Sequence, residues 1–261
     1  MRRLMAVQAL DGTMVTRLTA QSGGHELTLL VSPPKEKPTI VLCHGFPGYN
    51  RNDETAHALA ALGYGTVLFR YRGVDGTPGT YSFRGNEADI LAVVAATRAA
   101  GLDRHGLGLL GYSLGGYHAS RLMALHPGLA DFLVLMAPLT DFERLRQRLD
   151  AFMPGAFRAL MSTGTDLLHG DPMDRIREAE AVTREEEPVT LGPGIRAPTL
   201  LLHGLHDAEV PIENSERLFE VLPGPAEIVR VAATHDFRGL GHRVAAEVDQ
   251  FYQANVLTRY Q

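Results

Sequence analysis

The stretch GLGLLGYSLGGYHASRL, residues 106–122, decides how this chain reads. A short apolar run leads directly to Ser113, with Gly111 and Gly115 two places to either side and Gly116 beyond. Helical sequence follows at once. A serine on a sharp strand-to-helix turn takes φ > 0 and lifts its Oγ above the strand end. Side chains two places before and after it would collide where strand and helix approach, so those places require glycine. The N-terminus of the following helix offers free N–H groups to a developing oxyanion. The spacing predicts a held nucleophile.

A serine hydroxyl reacts poorly at neutral pH without a base, and the base needs a carboxylate to orient it. In the chain order Ser, Asp, His, both partners belong after later strands. The run TLLLHG (199–204) is followed by LHDAEVP, which places Asp207 just past a strand end. The run AEIVRVA (226–232) is followed by ATHDF, which places His235 likewise. Parallel sheets display functional side chains at that edge. Two substitutes stay open: Asp141, after the run DFLVLMAP (131–138), for the acid, and His242, inside the last helical pattern, for the base. His203, His206 and Asp207 also cluster in sequence. His-x-x-His is not the i, i+4 spacing of a helical zinc pair, however, and no metal is expected.

A second glycine stretch, LCHGFPGYNRND (42–53), follows another apolar run. It can supply an oxyanion donor from the backbone N–H of Phe46, with Leu114 as the other donor; Pro47 has no N–H to give. His44 reads as a brace for this loop. In FRYRGVDGTPGTYSF (69–83), Arg70, Arg72 and Asp75 read as holding a long turn-rich loop by ion pairs and hydrogen bonds.

Eight short apolar runs recur, at 14–20, 25–31, 39–45, 65–73, 106–113, 131–138, 198–204 and 226–232. The first two alternate polar and apolar residues, as half-exposed antiparallel strands do. The later ones are nearly continuous, as strands buried on both faces of a parallel sheet are. Helical patterns lie over 83–100, with Ser82 placed to cap it, and over 113–125, 212–222 and 239–256. Strands alternating with helices predict an α/β fold with a mostly parallel eight-stranded sheet. About sixty residues separate Pro138 from Pro198, too many for an ordinary connection. Residues 1–138 and 196–261 therefore read as one core, and 139–195 as a helical cap inserted into it; an extra helix pair on the flank is the alternative.

The 261 residues, 45% hydrophobic, suffice for a large single core. A net charge of −5 gives no basic footprint for nucleic acid. The single cysteine, Cys43, excludes an intramolecular disulfide and a cysteine-rich zinc site, and fits a reducing compartment. The opening MRRLMAVQAL lacks the long apolar core of a secretory signal, and no stretch reaches the length of a membrane span. A cytoplasmic protein is expected. The oligomeric state stays open, a homodimer included.

Taken together, HGFPG, RGVDGTPG, GYSLGG, HDAEVP and ATHDF resemble the α/β-hydrolase superfamily, from about residue 14 to the C-terminus. RGVDGTPG departs from that family's R-G-x-G-x-S-x-G-type loop at Thr77-Pro78. Size and insertion resemble small bacterial carboxylesterases of the cinnamoyl/feruloyl-esterase type. The resemblance implies hydrolysis of a small-molecule carboxylic ester without a cofactor, under a cap that covers an acyl pocket. It makes Phe152, Met153, Phe157, Leu160 and Met161 candidates to line that pocket, with packing of the cap's own core as the alternative. A thioesterase, an aminopeptidase-like or a carbon–carbon bond hydrolase would use the same triad. A hydrolase fold kept as a binding protein would have lost a triad member, and none is missing here.

Overall fold

The computed structural model describes residues 5–8, 14–48, 52–182 and 187–257. The strands are β1 (Met5–Gln8), β2 (Met14–Ser22), β3 (His25–Ser32), β4 (Thr39–Cys43), β5 (Gly65–Phe69), β6 (Leu107–Tyr112), β7 (Phe132–Met136), β8 (Thr199–Gly204) and β9 (Ala226–Val231). They form one sheet in the order β1-β2-β3-β5-β4-β6-β7-β8-β9. Pairings from β1 to β5 along this order are antiparallel, and those from β5 to β9 are parallel. The eight expected strands are all present; β1 extends the antiparallel edge by one short strand.

Burial explains the hydropathy. Every residue of β4, β6, β7 and β8 is buried, because helices cover both faces there, and so these strands read as unbroken apolar runs. β3 alternates instead, and β9, expected to be buried on both faces, is mostly half-exposed because it is the edge strand. Successive residues of one strand enter opposite cores: Leu133 and Leu135 face one cluster, Val134 and Met136 the other. Burying each such aliphatic side chain contributes roughly 1.5–3 kcal/mol.

One face carries α2 (Phe83–Ala99) and α3 (Leu114–Leu125); the other carries α1 (Asp53–Ala61) and α9 (Gly241–Asn255). The Ser82 side chain caps α2, accepting from Gly85 N–H at 3.0 Å. Helix α1 lies in a stretch whose sequence carries no strong apolar stripe; it packs through Ala56, Ala58 and Leu59. Between β7 and β8 run α4 (Phe142–Phe152), α5 (Ala156–Met161), α6 (Pro172–Val182) and the short α7 (Pro188–Leu191); α8 (Glu213–Val221) joins β8 to β9. Among the described residues no helix is long and apolar enough to cross a membrane.

The connection from β4 goes to β5 on one side, and the chain then crosses to β6 on the other. The loops after β4 and β6 therefore leave the sheet edge in opposite directions, which opens a crevice between them.

Candidate active site

Ser113 sits in that crevice, between β6 and α3, at φ 53° and ψ −118°. A non-glycine residue at positive φ is strained, and the neighbours explain how the strain is tolerated. A Cβ on Gly111 would lie 2.6 Å from Gly116 Cα, and one on Gly115 only 2.1 Å from the Cys43 carbonyl oxygen. Strand, helix and the loop after β4 meet too closely here for any side chain. A Cβ on Gly45 would stand 3.0 Å from Ser113 Cβ, so that loop runs directly beside the serine.

Loops after β8 and β9 bring in the other two predicted residues. His235 Nε2 lies 3.0 Å from Ser113 Oγ, and its Nδ1 lies 2.7 Å from Asp207 Oδ2. With Nδ1–H directed at a carboxylate, Nε2 presents its lone pair to the hydroxyl. The Asp207 carboxyl is fully shielded from solvent. Burial pushes its pKa up, but hydrogen bonds from His203, His235 and the Val210 N–H outweigh burial and hold it well below the ordinary carboxylate range. The group is thus an anion at neutral pH, able to fix one tautomer and to stabilise an imidazolium. The Tyr112 ring lies 5.2 Å from the His235 ring, centre to centre, and backs the imidazole.

Phe46 and Leu114 line the same cavity as Ser113. Among the described residues neither backbone N–H donates to a protein acceptor. That cavity, about 470 Å³, runs beneath α4 and is walled by Phe142, Leu145, Leu149 and Leu160. A second cavity, about 480 Å³, also reaches His235 and is lined by Pro47, Thr55, Asp236 and Arg238. The arrangement can take a proton from a serine, hold an oxyanion and seat an apolar group on one side of the reacting centre.

A sequence profile of the alpha/beta hydrolase fold matches residues 38–177, just over half of the chain. The chain belongs to the α/β-hydrolase fold family. An uncharacterised protein of Mycobacterium tuberculosis is 28% identical over 225 residues, covering 85% of this chain and 69% of the relative. Est1E from Butyrivibrio proteoclasticus, solved with ferulic acid bound, superposes with a TM-score of 0.70 at 21% identity, over 92% of this chain and 99% of that one. The monoacylglycerol lipase of Paleococcus ferrophilus gives 0.61 at 23% identity, over 87% and 98%. At these identities the solved structures share the fold.

Other residues singled out in the sequence find their places in the hydrolase scaffold. Asp141 caps α4, accepting from Arg144 N–H at 2.8 Å, and pairs with Arg217. His242 is exposed on the first turn of α9. Neither stands in for Asp207 or His235. His44 Nδ1 meets the Gly45 carbonyl at 2.8 Å, bracing the loop after β4. Arg70 pairs with Asp75, while Arg72 reaches across to the buried Asp89 at 2.7 Å. Phe152, Leu160 and Met161 line the apolar cavity; Met153 does not, and Phe157, 1% exposed, packs in the core against Phe142. Leu145 and Leu149 were not singled out, although Phe142, Leu145, Leu149 and Phe152 form a helical stripe that sequence alone displays. Among the described residues no group of three His, Cys, Asp or Glu could hold a metal. Cys43 is fully buried beneath the serine turn, and burial pushes its thiol up to about 12.

Proposed function

We propose that this protein is a serine hydrolase of carboxylic esters. The single observation carrying the reading is the relay from Ser113 Oγ through His235 (3.0 Å) to Asp207 (2.7 Å) at the sheet's switch point. Ser113 Oγ attacks the ester carbonyl as His235 Nε2 takes its proton, and Asp207 holds the resulting imidazolium. The N–H groups of Phe46 and Leu114 receive the oxyanion. His235 then protonates the departing alcohol, the acyl group stays on Ser113, and a water activated by His235 releases it. No cofactor takes part.

The 139–195 insertion acts as the cap. Its apolar cavity supports an acyl group of some bulk, alkyl or aryl, with Phe152 at the wall. The second cavity, which shares Phe46 and His235 with the first, has room for the alcohol part of the ester. The likeness to Est1E with ferulic acid bound supports hydroxycinnamoyl esters among the acyl groups to try. A reducing, cytoplasmic setting suits a chain whose single thiol is buried.

The test is turnover of nitrophenyl and hydroxycinnamate esters, with matched thioesters and aminoacyl anilides, by wild type and Ser113→Ala. Oxygen esters should be preferred, Ser113→Ala should lose turnover by about 10³-fold or more, and a fluorophosphonate should label wild type alone. Undiminished turnover in Ser113→Ala would end the reading. A clear preference for the anilide would replace esterase by peptidase.

A further inference from the structure

An ionised carboxylate offers about four lone-pair directions, and those of Asp207 are all addressed. Oδ1 accepts from the N–H groups of Glu209 and Val210, both at 2.9 Å. Oδ2 faces two imidazoles, His235 Nδ1 at 2.7 Å and His203 Nε2 at 3.4 Å. His203 is completely buried near the end of β8, four residues before the acid. Its Nε2 also lies 2.9 Å from the Val210 carbonyl oxygen, which can only accept, so Nε2 carries the proton. Its Nδ1, 2.7 Å from Ser215 Oγ on α8, then accepts from that hydroxyl. A continuous polar line runs from Ser113 through His235, Asp207 and His203 to Ser215.

We propose that His203 is a positioning residue for the acid: its Nε2–H, held on the Val210 carbonyl and 3.4 Å from Asp207 Oδ2, sets its positive edge against the carboxylate, fixes the carboxylate plane and tempers the basicity of His235. The proposal rests on the catalytic reading of Ser113, His235 and Asp207 given above. Two physical effects follow from the geometry. The terminal torsion of an aspartate is soft, so without this contact the carboxylate rocks about its bond to His235 and holds the imidazole less squarely on Ser113, which lowers kcat while the bond itself persists. A carboxylate that accepts fewer hydrogen bonds is also a stronger partner for the imidazolium, so His235 would keep its proton more tightly. The Ser215 hydroxyl, donating to Nδ1, strengthens the donor on the opposite nitrogen.

Other charged groups surround this line: Arg148 of α4 donates to the Ala208 carbonyl beside Asp207, and Asp53, Glu54 and Arg238 line the cavity that His235 shares. Glu209 follows Asp207 in the loop; Asp236 follows His235 and is held by Thr234 and Arg238; Glu216 of α8 pairs with Arg230 of β9. Arg217 on the same helix pairs with Asp141. None of them contacts His203, whose partners are Ser215, Val210 and Asp207, so His203→Gln and His203→Leu leave their pairings untouched.

The experiment compares His203→Gln, which keeps an N–H donor, with His203→Leu, which has none. Both are read by kcat, KM, Tm and the acid limb of kcat/KM against pH. His203→Gln should hold the wild-type limb. His203→Leu should lower kcat by about 10–100-fold with KM little changed, and move the limb upward by roughly half to one pH unit. Should His203→Leu fail to fold, Ser215→Ala removes only the hydroxyl behind the imidazole and should move the limb the same way by less. A lowered Tm with limb and kcat unchanged in His203→Leu, or in Ser215→Ala where that variant stands in, would overturn the proposal, as would equal shifts in the Gln and Leu variants. Ser113→Ala separates the two readings: if it keeps turnover both fall, and if it is inert while the limb stays fixed only the role of His203 falls.

Discussion

Replacing Gly115 by alanine sets a helix gain against a backbone collision. An alanine on α3 favours the helix by up to about 1 kcal/mol. Against this, the new Cβ would stand 2.1 Å from the Cys43 carbonyl oxygen and 2.6 Å from that of His44. These are main-chain atoms at the end of β4, which is paired on both sides by β5 and β6 and cannot simply swing away. Ordinary contact requires them to retreat by more than about 1 Å, and overpacking of this kind costs about 1–3 kcal/mol. The collision wins, and Tm should fall by about 2–6 °C. The larger effect is on turnover. Phe46, whose N–H is the proposed oxyanion donor, lies two residues beyond His44, so the displacement reaches it, and misplacement by about 1 Å costs on the order of 10²-fold in kcat. Gly101→Ala is the control: its φ is +67° but nothing lies within 4 Å of the new Cβ. It should cost about 1–2 kcal/mol of backbone strain and leave kcat alone. The assay is saturating hydrolysis of a nitrophenyl ester beside a thermal melt. A Gly115→Ala protein that turns over within about threefold of wild type, at an unchanged Tm, would refute the close-approach argument.

Glu187 is buried, and its carboxyl accepts from the Phe142 and Glu143 N–H groups at the start of α4; burial, with Asp141 adding to it, pushes the group up to about 7. The folded protein therefore keeps a proton that the unfolded chain gives up near 4.5, and stability declines as pH rises from about 4.5 to about 7. Glu187→Gln should raise Tm above pH 7 and change it little at pH 4.5; parallel Tm curves would contradict this. Leu149→Trp fills the apolar cavity, so kcat/KM for hydroxycinnamoyl esters should fall by about tenfold or more while acetyl esters stay within about threefold. A uniform fall across both would show that the cavity does not hold the acyl group.

Much of this architecture was legible in the sequence because burial on both faces leaves unbroken apolar runs, as in TIVLC and FLVLM. Helix α1 escaped notice since it packs through alanines, whose small side chains leave a faint stripe. Ser113 could be read from its flanking glycines, each excluded from bearing a side chain by a backbone atom of another element. The meeting of His235 with Asp207 could be anticipated from strand ends alone. His203 could not: local spacing says nothing of the Ser215 hydroxyl, which α8 supplies from twelve residues on. Phe157 was misleading because an aromatic residue in an insertion serves equally well as cavity wall or as packing, and only the fold chooses.

The buried state of Cys43 has a practical side. Thiol-directed dyes have no other native target in this chain, and this one lies out of their reach and un-ionised. A cysteine substituted for Phe152, which is 89% exposed at the end of α4, would then be the molecule's one reactive handle. A fluorophore attached there would stand at the rim of the apolar cavity, and its emission would report in real time whether the roof lifts as a substrate arrives.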